Sequence, residues 1–285
     1  MNSKIVEISG NELKKYQHEV LKIAKDVARF CEKNDIVYTL SGGSVLGAVR
    51  HNGFIPWDDD IDINMPRKDY DKFVSMFIKE YSSEYYVQTP QRDPKLGLLI
   101  TQIRKKGTIA RRRYDMENEN CGISIDIYIM ENVYDGNFLF NIQKFGAIFF
   151  LMMVSGNRAF HNRNVPAELE RLEHRQVNHK FLKKTFGSIV GIFPTRLLIN
   201  CAYFFFKMCR NSESSRISLP TGRRHFDGEL FRRQDMCVSI DHKFEDTHFK
   251  IPANYTVYLT RLYGDYMVIP PRSEEEHHLF LELKY

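Results

Sequence analysis

The sequence predicts a fold of the α/β class, in which helices pack against a sheet. Apolar residues recur at helical spacing over residues 11–33, with lysines and glutamates between them. Residues 36–41 form an apolar, strand-like run that breaks at glycine and resumes as a short helix over residues 43–51. Residues 122–130 alternate isoleucine with polar residues, which is typical of a strand with one buried face.

The composition narrows the class of protein. The chain has 285 residues, 43% hydrophobic and 27% charged, so it is long enough to bury a core and is typical of a globular protein. Its formal net charge of +5 suits anionic substrates or an anionic membrane face, but is too small to predict binding to nucleic acid. Five cysteines without a Cys-x-x-Cys pair do not support a structural zinc site.

The cysteines and the N-terminal residues also bear on the compartment. Reduced thiols in a cytosolic compartment are the simplest interpretation of an odd number of unpatterned cysteines. Residues 1–7 lack the apolar stretch of a signal peptide. We therefore expect a cytoplasmic protein, with peripheral contact to the inner face of the cell membrane as an open possibility.

Residues 40–64 carry the densest chemical signals in the chain. A strand that turns into a helix N-terminus through Gly42, Gly43 and Ser44 exposes backbone N–H groups, and these suit a phosphate. On its own, such a glycine-serine stretch is more often a simple turn. Arg50, near the end of the same helix, is either a charge-assisted phosphate donor or the partner of a nearby aspartate.

An acidic run follows the glycine turn. In a strand, Asp60 and Asp62 would project from one face while the isoleucines between and after them face the core. Asp58 would share their face, and Asp59 is expected to be solvated. Paired carboxylates suit Mg²⁺ or Mn²⁺, although a solvated edge strand is the simpler alternative. A phosphate-binding turn beside a paired-carboxylate site is what nucleotide phosphoryl transfer requires.

Two segments resemble a known family. Gly-Gly-Ser-x-Leu-Gly-x-x-Arg, followed by Gly-Phe-Ile-Pro-Trp-Asp-Asp-Asp-Ile-Asp, resembles the signature of the LicD family of nucleotidyltransferase-fold phosphotransferases, which includes fukutin and the fukutin-related protein. Near the C-terminus, Tyr-Leu-x-x-x-Tyr-Gly-Asp-Tyr-Met with a later Pro-Pro is similar to the end of the same family. The resemblance implies a nucleotidyltransferase-like mixed sheet with an added helical region.

The resemblance also implies roles for individual residues. Asp60 and Asp62 would hold the metal with support from Asp58, while Gly42, Gly43, Ser44 and Arg50 would bind the donor phosphates. Asp126 lies on the alternating strand and is expected to be a third metal ligand or the general base; its alternative is a place on the outer face of an edge strand. Arg104 in a basic hairpin is our choice for a diphosphate contact, against a simple solvated hairpin.

The implied activity is the transfer of a substituted phosphate from a CDP-activated donor to a hydroxyl of a cell-surface glycan or its lipid-linked precursor, with Mg²⁺ or Mn²⁺. CDP-choline and CDP-ribitol are the donors that the family implies. One alternative is a nucleotidyltransferase that moves a nucleoside monophosphate onto a small molecule with the same three acids. The other is a non-catalytic glycan-binding protein, against which the presence of all three acids counts.

We expect three regions along the chain. Residues 1–135 form the catalytic core, residues 136–222 a helical region with possible membrane contact, and residues 223–285 a C-terminal segment that packs back on the core. The apolar run at 147–154 is too short to span a membrane, and the run at 189–209 contains proline and arginine. Helices on the membrane surface and helices that cover the sheet both remain open.

Three further signals have two interpretations each. Trp57 could stack on a base or sugar, but a core position is favoured. Asp265 either serves the site or belongs to a helix stop and turn. His277 and His278 either approach a metal or are solvated.

Overall fold

The computed structural model describes residues 5–113, 115–162, 190–271 and 279–285. The helices in these ranges are α1 (Gly10–Lys33), α2 (Gly42–His51), α3 (Arg67–Glu80), α4 (Asn137–His161), α5 (Thr195–Phe206), α6 (His225–Gly228), α7 (Arg233–Cys237) and α8 (Tyr255–Tyr263). The strands are β1 (Val6–Glu7), β2 (Thr39–Leu40), β3 (Asp62–Pro66), β4 (Tyr85–Gln88), β5 (Thr101–Lys105), β6 (Ile109–Arg111), β7 (Ser124–Asn132), β8 (Arg216–Ser218), β9 (Leu230–Arg232), β10 (Ser239–Phe244), β11 (Thr247–Pro252), β12 (Leu279–Phe280) and β13 (Glu282–Lys284).

A mixed sheet forms the centre of the described structure. Its strands lie in the order β2-β3-β7-β5-β4, and β8 and β9 continue it beyond β7. Strands β3 and β7 run parallel, whereas the other neighbours in the sheet are antiparallel. This arrangement confirms the α/β fold class with a mixed sheet.

The long strand β7 shows why the sheet buries one face. Its isoleucines, with Ile123 just before it, alternate with polar residues, and Ile123, Ile125 and Ile127 are fully buried. The helices α1 and α3 pack against this strand. On α1 the buried residues recur at helical spacing, as the sequence predicts. The polar residues of β7 are therefore left on the opposite face, where Asp126 lies.

The acidic run differs from the prediction in one respect. The isoleucines Ile61 and Ile63 are fully buried, as expected. However, β3 begins only at Asp62, and Asp58 to Asp60 lie in a loop before it. A turn in which the Asp58 N–H donates to the Ile55 carbonyl at 2.9 Å keeps this segment out of the sheet. The acids thus approach each other through a loop, not through strand alternation.

The helical region contains a long apolar helix. Helix α4 has 25 residues and packs on α5. By length and composition alone it could cross a membrane, because the apolar run predicted at 147–154 is part of this longer helix. The sheet also enters this region, because β8 pairs with β7. The charged stretch predicted at 166–185 lies outside the described residues, as do His277 and His278.

The C-terminal part of the chain contacts the core at several points. Strand β12 pairs with β1, and β13 pairs with β6. Helix α8 packs against α2, and the β10–β11 hairpin contacts β2 and α2. The residues that face α2 from this part of the chain form one wall of the candidate site.

Candidate active site

The glycine turn and the acidic strand are joined by two short hydrogen bonds. The Ser41 N–H donates to the Asp62 carbonyl at 2.8 Å, and the Asp62 N–H donates to the Ser44 hydroxyl at 2.8 Å. Ser44 is only 4% exposed, so its side chain holds the acidic strand in place. Of the three residues predicted to bind phosphate in this turn, Gly42 and Gly43 line the neighbouring cavity.

The two glycines leave room for carboxylates beside the first turn of α2. A Cβ atom on Gly43 would lie 3.0 Å from Asp58 Oδ2, and one on Gly42 would lie 3.7 Å from Asp62 Oδ2. Gly42 also has a φ of +48°, a left-handed conformation that disfavours larger residues. The N–H of Gly43, at the second position of α2, belongs to the first turn, whose N–H groups have no partner within a helix and suit an anionic ligand.

The cavity at this point has a volume of about 580 Å³ and contains most of the predicted acids. Asp58, Asp60 and Asp62 all line it. Within the described residues, Asp58, Asp59 and Asp60 each bring one carboxylate oxygen within 4.8 Å of the others. Oxygen ligands in this number are those that Mg²⁺ and Mn²⁺ prefer.

Asp62 lies where negative charge is most concentrated. Its Oδ1 atom is buried and has no hydrogen-bond partner in the described structure. Burial raises the pKa of Asp62 well above its usual value, and the charges of Asp60 and Asp126 raise it further. A buried, unpaired carboxylate oxygen among other carboxylates is costly unless a cation or proton compensates for it. The residues present therefore fit a divalent cation.

Asp126 is the register neighbour of Asp62 across the parallel pair β3 and β7. Its strand is paired on both sides, so the edge-strand alternative is excluded. The Gln102 side-chain N–H donates to Asp126 Oδ1 at 2.7 Å and fixes the carboxylate. Burial raises the pKa of Asp126, and the Gln102 hydrogen bond opposes this shift. Asp126 thus stands beside Asp62, behind the residues that line the cavity.

The expectation that Asp59 is solvated was wrong. Asp59 is only 1% exposed, and its Oδ2 accepts a hydrogen bond from the guanidinium of Arg112 at 2.5 Å. The guanidinium of Arg112 also lies 5.0 Å from the ring of Phe280. The ion pair joins the acidic loop to residues that follow β6, a long-range contact that adjacent residues in the sequence do not reveal.

Arg104 does not reach the cavity. Its side chain is buried and donates to Asp115 Oδ1 at 2.8 Å and to the side-chain Oε1 of Gln102 at 2.6 Å. The predicted contact to a donor phosphate is therefore not supported by its position. Arg104 instead holds Gln102, which in turn holds Asp126. A basic residue on an alternating strand is compatible with a phosphate contact and with an internal ion pair. The position of Asp115, which binds Arg104 inside the protein, decides in favour of the ion pair.

Arg50 and Trp57 do line the cavity. Arg50 donates to the carbonyls of Tyr266 and Val268 at 3.0 and 3.1 Å, so the expected aspartate partner is replaced by backbone oxygens. Trp57 is half-buried and packs partly against the core, with its ring 6.4 Å from that of His51. The position of Trp57 is therefore compatible with both a core role and stacking on a base or sugar.

The opposite wall comes from residues to which the sequence analysis gave no role. The Gly42 N–H donates to the Tyr258 hydroxyl at 2.9 Å, and this hydroxyl also lies 3.1 Å from the Ser41 hydroxyl. Arg223 lies over the ring of Tyr263, 5.4 Å from its centre. Tyr258 and Tyr263 lie five residues apart in the C-terminal motif, and this motif was the part of the sequence that indicated the wall. Asp265, which was left open, also lines the cavity.

Glu229 is a buried acid on the same wall. It is only 1% exposed, and it accepts a hydrogen bond from the Arg224 N–H at 2.8 Å. Burial raises the pKa of Glu229 to about 7, against the opposing effect of Arg224. Glu229 therefore adds a carboxyl group to the wall that faces the acidic loop. No sequence pattern around Glu229 predicts this position.

Gly47 explains the third glycine of the motif and gives a testable prediction. A Cβ atom there would lie 2.4 Å from the Gly53 carbonyl oxygen, so a side chain must displace the turn that leads into the acidic loop. We expect Gly47→Ala to lower the free energy of unfolding by about 1–3 kcal/mol, the usual cost of overpacking. Gly136→Ala, where a Cβ meets open space, is the matched control for urea unfolding. Equal stability of the two variants would contradict the prediction.

Comparison with known proteins finds similarity to the family that the sequence motifs resemble. The family model described as LicD/FKTN/FKRP, nucleotidyltransferase domain, matches residues 35–167. The lipopolysaccharide cholinephosphotransferase LicD of Haemophilus influenzae is 26% identical over 277 residues, which cover 93% of this chain and 95% of that protein. Human ribitol 5-phosphate transferase FKRP is 40% identical over 53 residues, which cover 17% of this chain and 11% of that protein. The similarity to LicD thus extends on both sides of residues 35–167 and covers most of the chain.

Proposed function

We propose that this chain is a phosphotransferase that moves a substituted phosphate, such as phosphocholine, from a CDP-activated donor to a hydroxyl of a glycan or its lipid-linked precursor. The observation that carries the proposal is the shared cavity of about 580 Å³ in which the N-terminus of α2 faces three carboxylates. The names of two related proteins, a lipopolysaccharide cholinephosphotransferase and a ribitol 5-phosphate transferase, support the reaction class.

The N-terminus of α2 is proposed to bind the donor phosphates. The N–H of Gly43 lies in the first turn of α2, and the partial positive charge of a helix N-terminus favours an anion. Arg50 and Arg223 line the same cavity and add positive charge around it. Trp57 and Tyr263 offer aromatic surfaces to the nucleoside part of the donor.

A divalent cation is proposed to bind Asp58, Asp60 and Asp62. When bound, Mg²⁺ neutralises charge that builds up on the donor phosphates. The chain's own contribution is to hold these carboxylates close together. The Ser41 N–H and the Ser44 hydroxyl are both hydrogen-bonded to the backbone of Asp62 and hold β3 against the glycine turn, so that the acids and the helix N-terminus keep their separation.

Asp126 is proposed to accept the proton of the acceptor hydroxyl. Its raised pKa brings it nearer to neutral pH, where a general base is most effective. Gln102 orients the carboxylate, and Arg104 orients Gln102. This chain of contacts fixes one oxygen of Asp126, and the proposal requires the acceptor hydroxyl to reach the other from the cavity.

Calorimetric titration with CDP-choline and with CTP, each with and without Mg²⁺, tests the donor. We expect metal-dependent binding of CDP-choline in preference to CTP, and loss of that binding in Asp62→Asn. Binding of CTP alone would overturn the proposal in favour of nucleotidyl transfer. Once an acceptor is identified, analysis of the product distinguishes the two reactions independently. Transfer of a substituted phosphate releases CMP, whereas nucleotidyl transfer leaves the nucleotide on the acceptor.

A further inference from the structure

Helix α4 presents an apolar row to the outside of the molecule. Five of its residues recur every three or four positions and are exposed: Phe138, Ile142, Phe145, Phe149 and Met152. We call these five residues the apolar stripe. Phe138 is 77% exposed and Phe145 64%. The stripe covers four turns of one helix face, about 21 Å in length, whereas soluble helices normally turn such a face inward.

The inner face of α4 carries the polar groups instead. Gln143 is fully buried and donates to the Asn132 carbonyl at 2.8 Å. Asn157 is also fully buried and donates to the carbonyls of Val190 and Phe193 at 3.1 and 2.9 Å. Helix α4 therefore fixes two amides against the protein beside the buried Ala147 and Val154, while the aromatic rings of the stripe are directed away from it.

Helix α5 and the residues before it extend the same apolar surface. Phe150 of α4 stacks on Phe205 of α5 with ring centres 5.6 Å apart, so the two helices form one unit. On this unit Ile192 is 81% exposed and Phe204 65%. Contiguous apolar surface of this size on a folded protein usually marks an interaction site.

Positive charge predominates around this surface. Residues 136–162 and 190–212 contain no aspartate or glutamate, and their charged residues are lysines and arginines. A cleft of about 1110 Å³ opens beside Phe204 and carries Lys68, Lys207 and Arg210 on its walls, together with Asp71. Two acids pair with lysines of these segments: Asp71 lies 3.8 Å from Lys207 and Asp227 lies 2.8 Å from Lys144. Positive charge beside exposed aromatic rings is complementary to anionic lipid headgroups above an apolar interior.

We infer that the apolar stripe docks the protein on an anionic lipid surface, with α4 lying in the plane of the interface. A membrane-spanning position would remove Gln143 and Asn157 from the carbonyl groups that they bind. A second copy of the chain would bring two surfaces of the same positive sign together, which disfavours that partner. The inference does not depend on the donor or on the transfer reaction.

Vesicle flotation of the full chain tests the inference. Vesicles of phosphatidylcholine alone are compared with vesicles that contain phosphatidylglycerol. We expect the wild-type protein to float with the anionic vesicles, to be released by high salt, and to lose at least about tenfold in partitioning in Phe145→Ser/Phe149→Ser. Val238→Ser/Ile240→Ser removes two exposed apolar residues on and beside β10 and serves as the matched control, with binding unchanged.

Three results would overturn the inference. Wild-type protein that floats with neither vesicle would mean that the stripe does not dock on a lipid surface. A dimer in sedimentation velocity that dissociates in Phe145→Ser/Phe149→Ser would assign the stripe to a second copy. Equal loss of binding in the control double variant would show general adhesion. Circular dichroism and the Tm of the stripe variant, measured in the same preparation, confirm that it is folded.

Discussion

Asp62→Asn is expected to reduce transfer by at least about 10³-fold, because it removes the carboxylate at the centre of the acidic cluster. The fold should remain intact. Asn has nearly the same shape as Asp, and the two backbone hydrogen bonds of residue 62 to Ser41 and Ser44 do not involve the side chain. Initial rates with saturating donor and Mg²⁺, together with circular dichroism, measure both effects.

The same substitution should raise thermal stability when divalent cations are chelated. The folded protein raises the pKa of Asp62 above its ordinary value of 3.8, so the folded state binds more protons than the unfolded state between those two pKa values. Stability of the wild-type protein therefore falls as pH rises through that window. Asp62→Asn has no carboxyl group to ionise at this position, so it avoids this loss of stability. The Tm of the variant should therefore exceed that of the wild-type protein at about pH 8, and the difference should vanish at about pH 4.

Mg²⁺ should reverse the order of the two proteins. A cation that binds the folded state raises Tm by mass action, and Asp62→Asn should lose most of that increase. Asp241→Asn, an exposed acid paired with Lys250, is the matched control and should respond to Mg²⁺ as the wild-type protein does. Near-normal turnover in a folded Asp62→Asn protein would refute the assignment of Asp62.

Glu131→Gln should be the most destabilising single change, with a loss of about 3–5 kcal/mol in the free energy of unfolding. Glu131 is 1% exposed and accepts hydrogen bonds from both Nε and Nη2 of Arg67, itself only 8% exposed. Removal of the carboxylate charge leaves the guanidinium buried beside Tyr70 and Tyr203 without its main counter-ion. Urea unfolding of wild type and variant measures the loss.

Two comparisons isolate this buried pair. Glu80→Gln breaks the exposed pair with Lys33, whose side chains are 41% and 64% exposed, and should change stability by less than about 1 kcal/mol. Arg67→Met/Glu131→Leu removes both charges and should recover much of the stability that Glu131→Gln loses. A Glu131→Gln variant as stable as Glu80→Gln would show that the pair contributes little.

Local patterns predicted the elements that depend on local physics. Helical spacing located α1, and the alternation of isoleucines located β7 with its acid on the opposite face. The glycine turn and Asp62 were predictable as neighbours, because a strand, a turn and a short helix lie within about twenty residues.

Contacts between distant residues were not predictable in the same way. Asp59 and Arg112 are 53 residues apart, and nothing near either residue indicates the ion pair that buries Asp59. Arg104 has the spacing of a phosphate contact, yet Asp115 binds it inside the protein. The wall that carries Arg223, Glu229 and Tyr258 depends on how the last third of the chain folds over α2, which residue periodicity does not determine.

The residues of that wall and the acids of the site come from different stretches of the chain. The acids and the glycine turn lie within residues 35–167, which match the family model, whereas Arg223, Tyr258 and Tyr263 lie beyond it. In the proposed function, the metal-binding acids and this part of the donor site are encoded by different stretches of sequence, so the two can change independently. Exchange of residues 221–268 between relatives is therefore expected to alter donor preference while the acidic loop stays constant. A fragment that ends at residue 167 would contain the acids of the loop but would lack the wall that carries Arg223, Tyr258 and Tyr263.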